Sequence, residues 1–318
     1  MKFYVCATPY HLFITLCRIF AYKEESYIYL STHDHNVFKI FNAYRENILK
    51  ITYVKDVYLR KRGNIKERLF LEDIVDKIEY RSLKNKINKS HVIIFPWNLY
   101  SLFSPAEYIF KYATRVTLIE EGANLYAMKK PSNKFLFIKK YIYGRNLEFY
   151  KSDKIDKILV QFPKRYPNYL QRKIEKFDIN NIINLLEEKE KKEIASILSN
   201  DIDIDKINNE SIIILTQPLS EDGFISIDEK KEIYKEIIFK YKSEYDIILK
   251  KHPRETTKYD YNIDNLIELN GDFPSEVFKL LDVKFKKAIG ICTSAVKFID
   301  AEERINIDED FIKKLENK

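Results

Sequence analysis

Residues 211–254, SIIILTQPLSEDGFISIDEKKEIYKEIIFKYKSEYDIILKKHPR, contain the pattern that decides the fold class. The first apolar run, at residues 211–215, is short and rich in isoleucine, which predicts a buried strand. Helical spacing follows over residues 228–241, and a second apolar run at 245–249 predicts another strand. The order strand, helix, strand is typical of a βαβ unit on a parallel sheet.

The same alternation of strands and helices runs through most of the chain. Further strands are predicted at residues 3–7, 26–30, 54–59, 91–95, 116–119, 266–269 and 288–292, and further helices at 11–22, 36–48, 65–83 and 274–281. We therefore predict an α/β protein with two parallel-sheet domains. Its parts are an amino-terminal domain at residues 1–160, a charged helical linker at 161–209, a carboxy-terminal domain at 210–300 and a final helix at 301–318.

The composition excludes several classes of protein. The chain has 318 residues, of which 45% are apolar, so it can form two domains with buried cores and is too apolar for a disordered chain. No apolar run reaches the roughly 20 residues that cross a bilayer. Pro9 and His11 interrupt the apolar start, which would otherwise resemble a signal peptide. We expect a cytoplasmic protein.

Charge and cysteine usage narrow the range of partners. The net charge of +7 comes from 55 basic and 48 acidic side chains. This mild excess favours anionic small ligands, or contact with the inner face of a membrane, over nucleic acid. Three cysteines without a Cys-x-x-Cys motif are typical of a reducing compartment and argue against a structural zinc site.

Polar residues that follow predicted strands are the candidate functional residues, because ligands bind at the carboxyl ends of strands in open α/β sheets. In the amino-terminal half they are Thr8, Pro9, Tyr10 and His11 after the first strand, and Glu120 and Glu121 after the fifth. In the carboxy-terminal half they are Thr216, Gln217 and Asp222 after one strand, Lys250, Lys251, His252 and Pro253 after the next, and Thr293 and Ser294 after the last.

Each group has a functional interpretation and a structural one. A carboxylate in Glu120-Glu121-Gly122 or Glu221-Asp222-Gly223 can act as a general base, but acid-acid-Gly is also a common turn. His252 and its basic neighbours can bind a phosphate and protonate a leaving oxygen, or they can form an exposed basic turn. Thr293 and Ser294 can bind an anion at a helix amino terminus, or they can simply cap that helix.

The order of these motifs resembles that of bacterial sialyltransferases. Those enzymes have an acid-acid-Gly motif, a His-Pro motif and a late Ser/Thr pair, here Glu120-Glu121-Gly122, Lys251-His252-Pro253 and Thr293-Ser294. With KFYVCATPYHLF at residues 2–13 and TQPLSEDGFIS at 216–226, the chain most resembles glycosyltransferase family 52. That family contains lipooligosaccharide and streptococcal capsule sialyltransferases. This sequence departs from a strict Ser-Ser pair by having Thr293.

The resemblance implies a GT-B fold, in which two Rossmann-like domains with parallel sheets face each other across a central cleft. It implies inverting transfer of N-acetylneuraminic acid from CMP-N-acetylneuraminic acid to a terminal galactose of a capsular or lipooligosaccharide glycan. No metal ion or other cofactor is implied. Related enzymes can be dimers, so a homodimer is compatible with the resemblance.

The resemblance also implies a role for each candidate residue. His252 would assist the departure of CMP, and the base would be Asp222 or, as the alternative, Glu121 beside Glu120. The donor-binding residues would be Thr216, Gln217, Lys250, Lys251, Pro253, Glu276, Thr293 and Ser294, of which Glu276 would bind the ribose and the last two the phosphate. The acceptor side would be lined by Thr8, Pro9, Tyr10 and His11.

Two other functions stay open at this point. The first is a GT-B glycosyltransferase that uses a different nucleotide sugar. The second is a non-catalytic nucleotide- or glycan-binding protein of capsule assembly. A binding protein needs no base, so the carboxylate and His-Pro motifs together favour an enzyme.

Overall fold

The computed structural model describes residues 1–32, 34–61, 72–95, 105–120, 137, 152–166, 172–199, 207–208, 210–293 and 295–307. The chain forms two compact units, unit 1 (Met1–Leu186) and unit 2 (Glu187–Lys318). The boundary falls inside the stretch 161–209, which the sequence pattern assigns to a linker. The first part of that stretch adds a strand, Ile174–Lys176, to the sheet of unit 1.

Unit 1 is built on a parallel sheet with strand order β3-β2-β1-β4-β5-β6-β7. The strands are β1 (Lys2–Cys6), β2 (Ser26–Thr32), β3 (Val54–Lys61), β4 (His91–Ile94), β5 (Arg115–Ile119), β6 (Ile155–Val160) and β7 (Ile174–Lys176). The described helices are α1 (Pro9–Tyr22), α2 (His35–Leu49), α3 (Glu72–Asn88), α4 (Pro105–Tyr112) and α5 (Ile179–Ile183), with a 3₁₀ turn at Pro163–Arg165. Lys2 of β1 is in register with Ser26 of β2 and His91 of β4.

The local sequence sets the start of α1 directly after β1. The Thr8 hydroxyl accepts a hydrogen bond from the His11 backbone N–H at 3.2 Å. Pro9 occupies the first helical position, where an N–H would have no partner within the helix. The helix ends at Tyr22, where Lys23 adopts the left-handed conformation of a carboxy-terminal cap. This start fixes His11 at the carboxyl end of β1.

Unit 2 is built on a parallel sheet with strand order β10-β9-β8-β11-β12. The strands are β8 (Ile212–Leu215), β9 (Ile247–Lys250), β10 (Leu266–Leu269), β11 (Phe285–Ile291) and β12 (Ala301–Ile307). The described helices are α6 (Glu188–Leu198) and α7 (Ile227–Tyr241), with 3₁₀ turns at Ser275–Lys279 and Ala295–Phe298. Ser226 and Glu229 form a capping box at the start of α7.

Both sheets have the strand order of a Rossmann fold. In each sheet the first strand of the unit lies between the second and the fourth, so the direction of winding reverses beside it. The reversal points lie between β1 and β4 in unit 1 and between β8 and β11 in unit 2. The prediction of an α/β protein with two Rossmann-like parallel sheets is therefore confirmed.

The isoleucine runs of unit 2 fill central strands that are covered on both faces. All four residues of β8 and of β9 are buried, as parallel strands under helices require. The apolar runs of unit 2 therefore form short buried strands. Within the described parts of the chain, no helix has the length and the hydropathy needed to cross a bilayer.

The final helix predicted for residues 301–318 is wrong over its first seven residues. Residues 301–307 form the edge strand β12, paired with β11. Glu302 and Glu303 are typical of a solvated helix, but here they form ion pairs with Lys286 and Lys287 on the neighbouring strand. Residues 308–318 lie outside the described part of the chain.

Two further predicted helices are shorter than expected. Residues 274–281 contain only the 3₁₀ turn Ser275–Lys279, and the described residues between Ser294 and β12 contain only the 3₁₀ turn Ala295–Phe298. A turn of this length has no developed helix dipole, so the dipole that was expected to hold an anion at Thr293 is absent.

Candidate functional site

Three neighbouring strands of unit 2 end in polar residues at one edge of the sheet. The order β9-β8-β11 places these strand ends side by side, about 4.8 Å apart from one strand to the next. Thr216 follows β8, His252 lies shortly after β9, and Thr293 lies shortly after β11. This edge includes the reversal point between β8 and β11, where open α/β sheets bind ligands.

A tight turn from His252 to Glu255 fixes the imidazole. The Glu255 N–H donates to the His252 carbonyl oxygen at 3.0 Å, and Pro253 supplies the fixed φ that such a turn favours. The Arg254 backbone N–H donates to His252 Nδ1 at 3.2 Å. Because Nδ1 accepts this bond, the neutral imidazole carries its proton on Nε2. His252 therefore has an N–H donor at Nε2.

Arg254 also joins Asp222 to this turn. Its guanidinium donates to both carboxylate oxygens of Asp222, at 2.7 and 2.8 Å. Asp222 and His252 are thus both bonded to Arg254, one through the side chain and the other through the backbone. In the part of the chain that the structure describes, no group of three or more His, Cys, Asp or Glu side chains is placed to hold a metal ion.

Lys250 and Glu276 are buried charged residues at the same edge. Lys250 Nζ donates to the Lys251 carbonyl oxygen at 2.9 Å and lies 4.0 Å from the centre of the Phe273 ring. Burial lowers the pKa of Lys250 to about 7, against the opposing effect of the charges of Asp272 and Glu276. Burial also raises the pKa of Glu276. Lys250 therefore changes charge near neutral pH.

Thr216, Gln217 and Lys251 make contacts within unit 2. The Thr216 hydroxyl donates to the Glu255 carboxylate, and Gln217 Nε2 donates to the Thr216 carbonyl oxygen at 3.0 Å. Lys251 Nζ forms an ion pair with Glu268 of β10 at 2.5 Å. The structure thus gives these three predicted donor-side residues contacts that stabilise the edge.

Thr293 caps the 3₁₀ turn that follows β11. Its backbone N–H donates to Asn306 Oδ1 at 3.1 Å, and its hydroxyl accepts from the Ala295 N–H at 3.2 Å. Gly290 leaves room for this side chain, because a Cβ at residue 290 would lie 2.4 Å from Thr293 Cγ2. The hydroxyl still has a proton to donate. Ser294 lies outside the described residues.

In unit 1 the predicted acceptor-side residues lie at the reversal point of the sheet. Thr8, Pro9, Tyr10 and His11 occupy the cap and the first turn of α1. His11 is buried, and its Nδ1 accepts from the Ala7 backbone N–H at 3.1 Å. The His11 ring stacks on that of Phe95, which follows β4, with 4.4 Å between ring centres. The stack therefore joins the ends of β1 and β4.

Glu120, at the end of β5, is a buried carboxylate. It accepts a hydrogen bond from the Gln161 backbone N–H at 2.6 Å, which ties the end of β5 to the end of β6. Glu121, its partner in the acid-acid-Gly motif, lies outside the described residues. The structure thus gives Glu120 a structural contact.

The sequence analysis missed a buried ion network behind the edge of unit 2. Lys230 Nζ on α7 lies 2.7 Å from Glu221 Oε2 and 2.9 Å from Glu255 Oε1, and the side chains of Lys230 and Glu255 are fully buried. The helical spacing of the sequence does indicate that Lys230 is buried. Lys230 precedes the buried Ile233 and Tyr234 by three and four residues, which places it on the apolar face of α7.

The sequence profile of glycosyltransferase family 52 matches residues 77–308, which is more than half of the chain. This chain belongs to glycosyltransferase family 52. The family match includes Glu120, Glu121 and every predicted donor-side residue, whereas residues 8–11 precede it. An uncharacterised protein of Haemophilus influenzae Rd is 34% identical over 185 residues, which are 56% of this chain and 57% of that protein. The chain therefore aligns with little more than half of this relative.

Two solved structures share the fold of this family 52 chain at low sequence identity. The 2,6-sialyltransferase of Photobacterium sp. JT-ISH-224, solved with CMP and lactose, has a TM-score of 0.60 and 13% identity, covering 96% of this chain and 71% of that one. The α/β-galactoside α-2,3-sialyltransferase of Photobacterium phosphoreum has a TM-score of 0.58 and 14% identity, covering 96% and 89%. The likeness confirms the GT-B fold.

Proposed function

We propose that this chain is a sialyltransferase that moves a sialic acid from CMP-sialic acid to a galactose-containing acceptor. The observation that carries the proposal is the joining of Asp222 and His252 through Arg254 at the carboxyl edge of a Rossmann-like sheet. Glycosyl transfer needs a base for the acceptor hydroxyl and a donor for the leaving phosphate. Family membership, and the CMP and lactose bound by the Photobacterium 2,6-sialyltransferase, support this choice of substrates.

On the donor side, we assign His252 to the leaving group. Its Nε2–H donates to the phosphate oxygen of CMP as negative charge develops there. Thr293 donates its hydroxyl to the same phosphate, and the ammonium of Lys250 stabilises the charge. Glu276 binds the ribose. With these donors and cations, the transfer proceeds without a metal ion, and the anomeric centre inverts in a single displacement.

Asp222 is our candidate for the base. Its carboxylate is oriented by Arg254, and it exchanges one of these two hydrogen bonds for the acceptor hydroxyl when the acceptor arrives. Glu121 is the alternative, with Glu120 beside it. Asp222→Asn and Glu121→Gln separate the two, because the true base loses kcat while CMP binding, measured by calorimetry, persists.

The acceptor side is assigned to residues 8–11 in unit 1, at the reversal point of that sheet. We propose a capsular or lipooligosaccharide glycan as the natural acceptor. We further propose that the chain works in the cytoplasm, and that its net charge of +7 favours the inner face of the membrane. Light scattering tests the expected homodimer, and sedimentation with anionic vesicles tests the membrane contact.

The direct test is incubation of the purified chain with CMP-N-acetylneuraminic acid and lactose, with and without EDTA. We expect sialyllactose by mass, an equal amount of released CMP, inverted configuration by NMR, and no effect of EDTA. His252→Ala lowers kcat by about 10²–10⁴-fold if His252 protonates the leaving group. His35→Ala, at the exposed start of α2, is the matched control and keeps the wild-type rate.

Two outcomes would contradict the proposal. Release of nucleotide from a UDP- or GDP-sugar, with none from the CMP donor, would indicate a different glycosyltransferase. Binding of CMP without turnover on any donor would indicate a non-catalytic binding protein. A His252→Ala variant with a near-normal rate would leave the transferase intact and refute the role of this imidazole.

A further inference from the structure

A buried carboxylate, Glu255, lies directly behind the His252 turn. Its Oε2 accepts from the His252 backbone N–H at 3.3 Å and from the Thr216 hydroxyl. Its Oε1 accepts from the Tyr259 hydroxyl and from Lys230 Nζ at 2.9 Å. The Glu255 N–H also donates to the His252 carbonyl oxygen at 3.0 Å. Glu255 therefore bonds both the N–H and the C=O of His252.

Lys230 links this carboxylate to the loop that follows β8. The Lys230 ammonium also bonds Glu221 Oε2 at 2.7 Å and Thr257 Oγ1 at 3.0 Å. Glu221 Oε1 in turn accepts from the backbone N–H groups of Thr256 and Thr257, at 2.9 and 3.1 Å. One buried ammonium thus ties the loop after β8 to the loop after β9.

The free-energy cost of burying these ions indicates that the network positions the backbone rather than adding stability. Desolvation of a buried ion pair offsets much of its attraction, so apolar residues of the same volume often give equal stability. Unlike apolar packing, the network fixes the position of particular backbone groups, because it forms hydrogen bonds with them. The His252 backbone N–H is one of those groups.

We propose that Glu255, held in place by Lys230, is a positioning residue that sets the tautomer of His252. The Arg254 N–H reaches Nδ1 only while the turn is closed, and Glu255 closes the turn from both ends. If the turn opens, Nδ1 is free to take the proton, and Nε2 then accepts instead of donating. The catalytic meaning of this device rests on the proposed function, because Nε2–H is the group assigned to the leaving phosphate.

The test compares Glu255→Gln with Glu221→Gln in the full chain labelled with ¹⁵N-histidine. Long-range ¹H–¹⁵N NMR reports the tautomer, and the loss of signals in His252→Ala identifies those of His252. We expect the Nε2–H tautomer in the wild type, and a mixture of both tautomers in Glu255→Gln with kcat about 10- to 100-fold lower. CMP affinity stays at the wild-type value. Glu221→Gln loses the same ammonium contact without touching His252, so it keeps the wild-type tautomer.

A Glu255→Gln protein that keeps the wild-type tautomer and kcat would overturn the proposal, whatever its melting temperature. If that variant does not fold, Glu255→Asp replaces it, since it keeps the charge beside Lys230 but withdraws the carboxylate from the His252 N–H by one methylene. Retention of the wild-type tautomer in Glu255→Asp would count equally against the proposal. The tautomer is measured without turnover, so a wild type that transfers no sialic acid refutes the proposed function and leaves this readout intact.

Discussion

Lys230→Met removes the buried ammonium while keeping a side chain of similar length. In the wild type, Lys230 Nζ lies 2.9 Å from Glu255 Oε1, and both side chains are fully buried. Two unit charges at the observed 2.9 Å attract by about 6 kcal/mol at an effective dielectric constant of about 20. Desolvation of the ions offsets part of this attraction. Because Glu255 would stay buried without its cation, we expect the free energy of unfolding to fall by about 3–5 kcal/mol.

Urea denaturation followed by circular dichroism measures this loss as a lower midpoint at constant slope. Lys235→Met is the matched control on the same helix, because Lys235 forms only an exposed pair with Glu232 at 3.4 Å. That control should lose less than about 0.5 kcal/mol. If Lys230→Met lowers the free energy of unfolding by less than about 1 kcal/mol, the loss is far smaller than the cost of breaking a buried pair. Such a result would refute the conclusion that Glu255 depends on this cation.

The charged groups and one glycine of unit 2 give three further expectations. Hydrogen bonds, chiefly from Lys230, lower the pKa of Glu221 to about 2 despite its partial burial. The stability that this carboxylate adds is therefore complete above pH 4.5 and is lost as the pH falls towards 2. Urea midpoints measured across this pH range should fall less steeply in Glu221→Gln than in the wild type. The pKa of Lys250 is about 7, so calorimetry should show CMP affinity falling as the pH rises through 7, and an equal fall in Lys250→Met would contradict the role of this ammonium. A Cβ at residue 271 would lie 2.4 Å from the His252 carbonyl oxygen, so Gly271→Ala should displace the turn and lower kcat by about 10- to 100-fold, whereas an unchanged kcat would show that the turn tolerates displacement.

The sequence predicted the fold wherever the signal was local. Isoleucine runs form β8 and β9 because central parallel strands are buried on both faces. Such a run can be identified from its own residues, without knowing which strands it pairs with. The edge strand β12 was predicted as a helix because its charged residues match a solvated helix. In the structure β12 pairs with β11, and Glu302 and Glu303 form ion pairs with Lys286 and Lys287 of that strand, about 16 residues earlier in the chain. Only the sheet brings these opposite charges together.

For the site, the sequence by itself determined which residues follow the strands, since Thr216, His252 and Thr293 each come after an apolar run. Tertiary structure decided how those residues are held. Asp222, a candidate base by sequence, is bound by Arg254, and a lysine and a glutamate with no motif of their own form the buried support of the His252 turn. The physical reason is distance along the chain. Strand ends are local features, whereas a hydrogen bond between loops exists only after the strands have paired and brought the loops together.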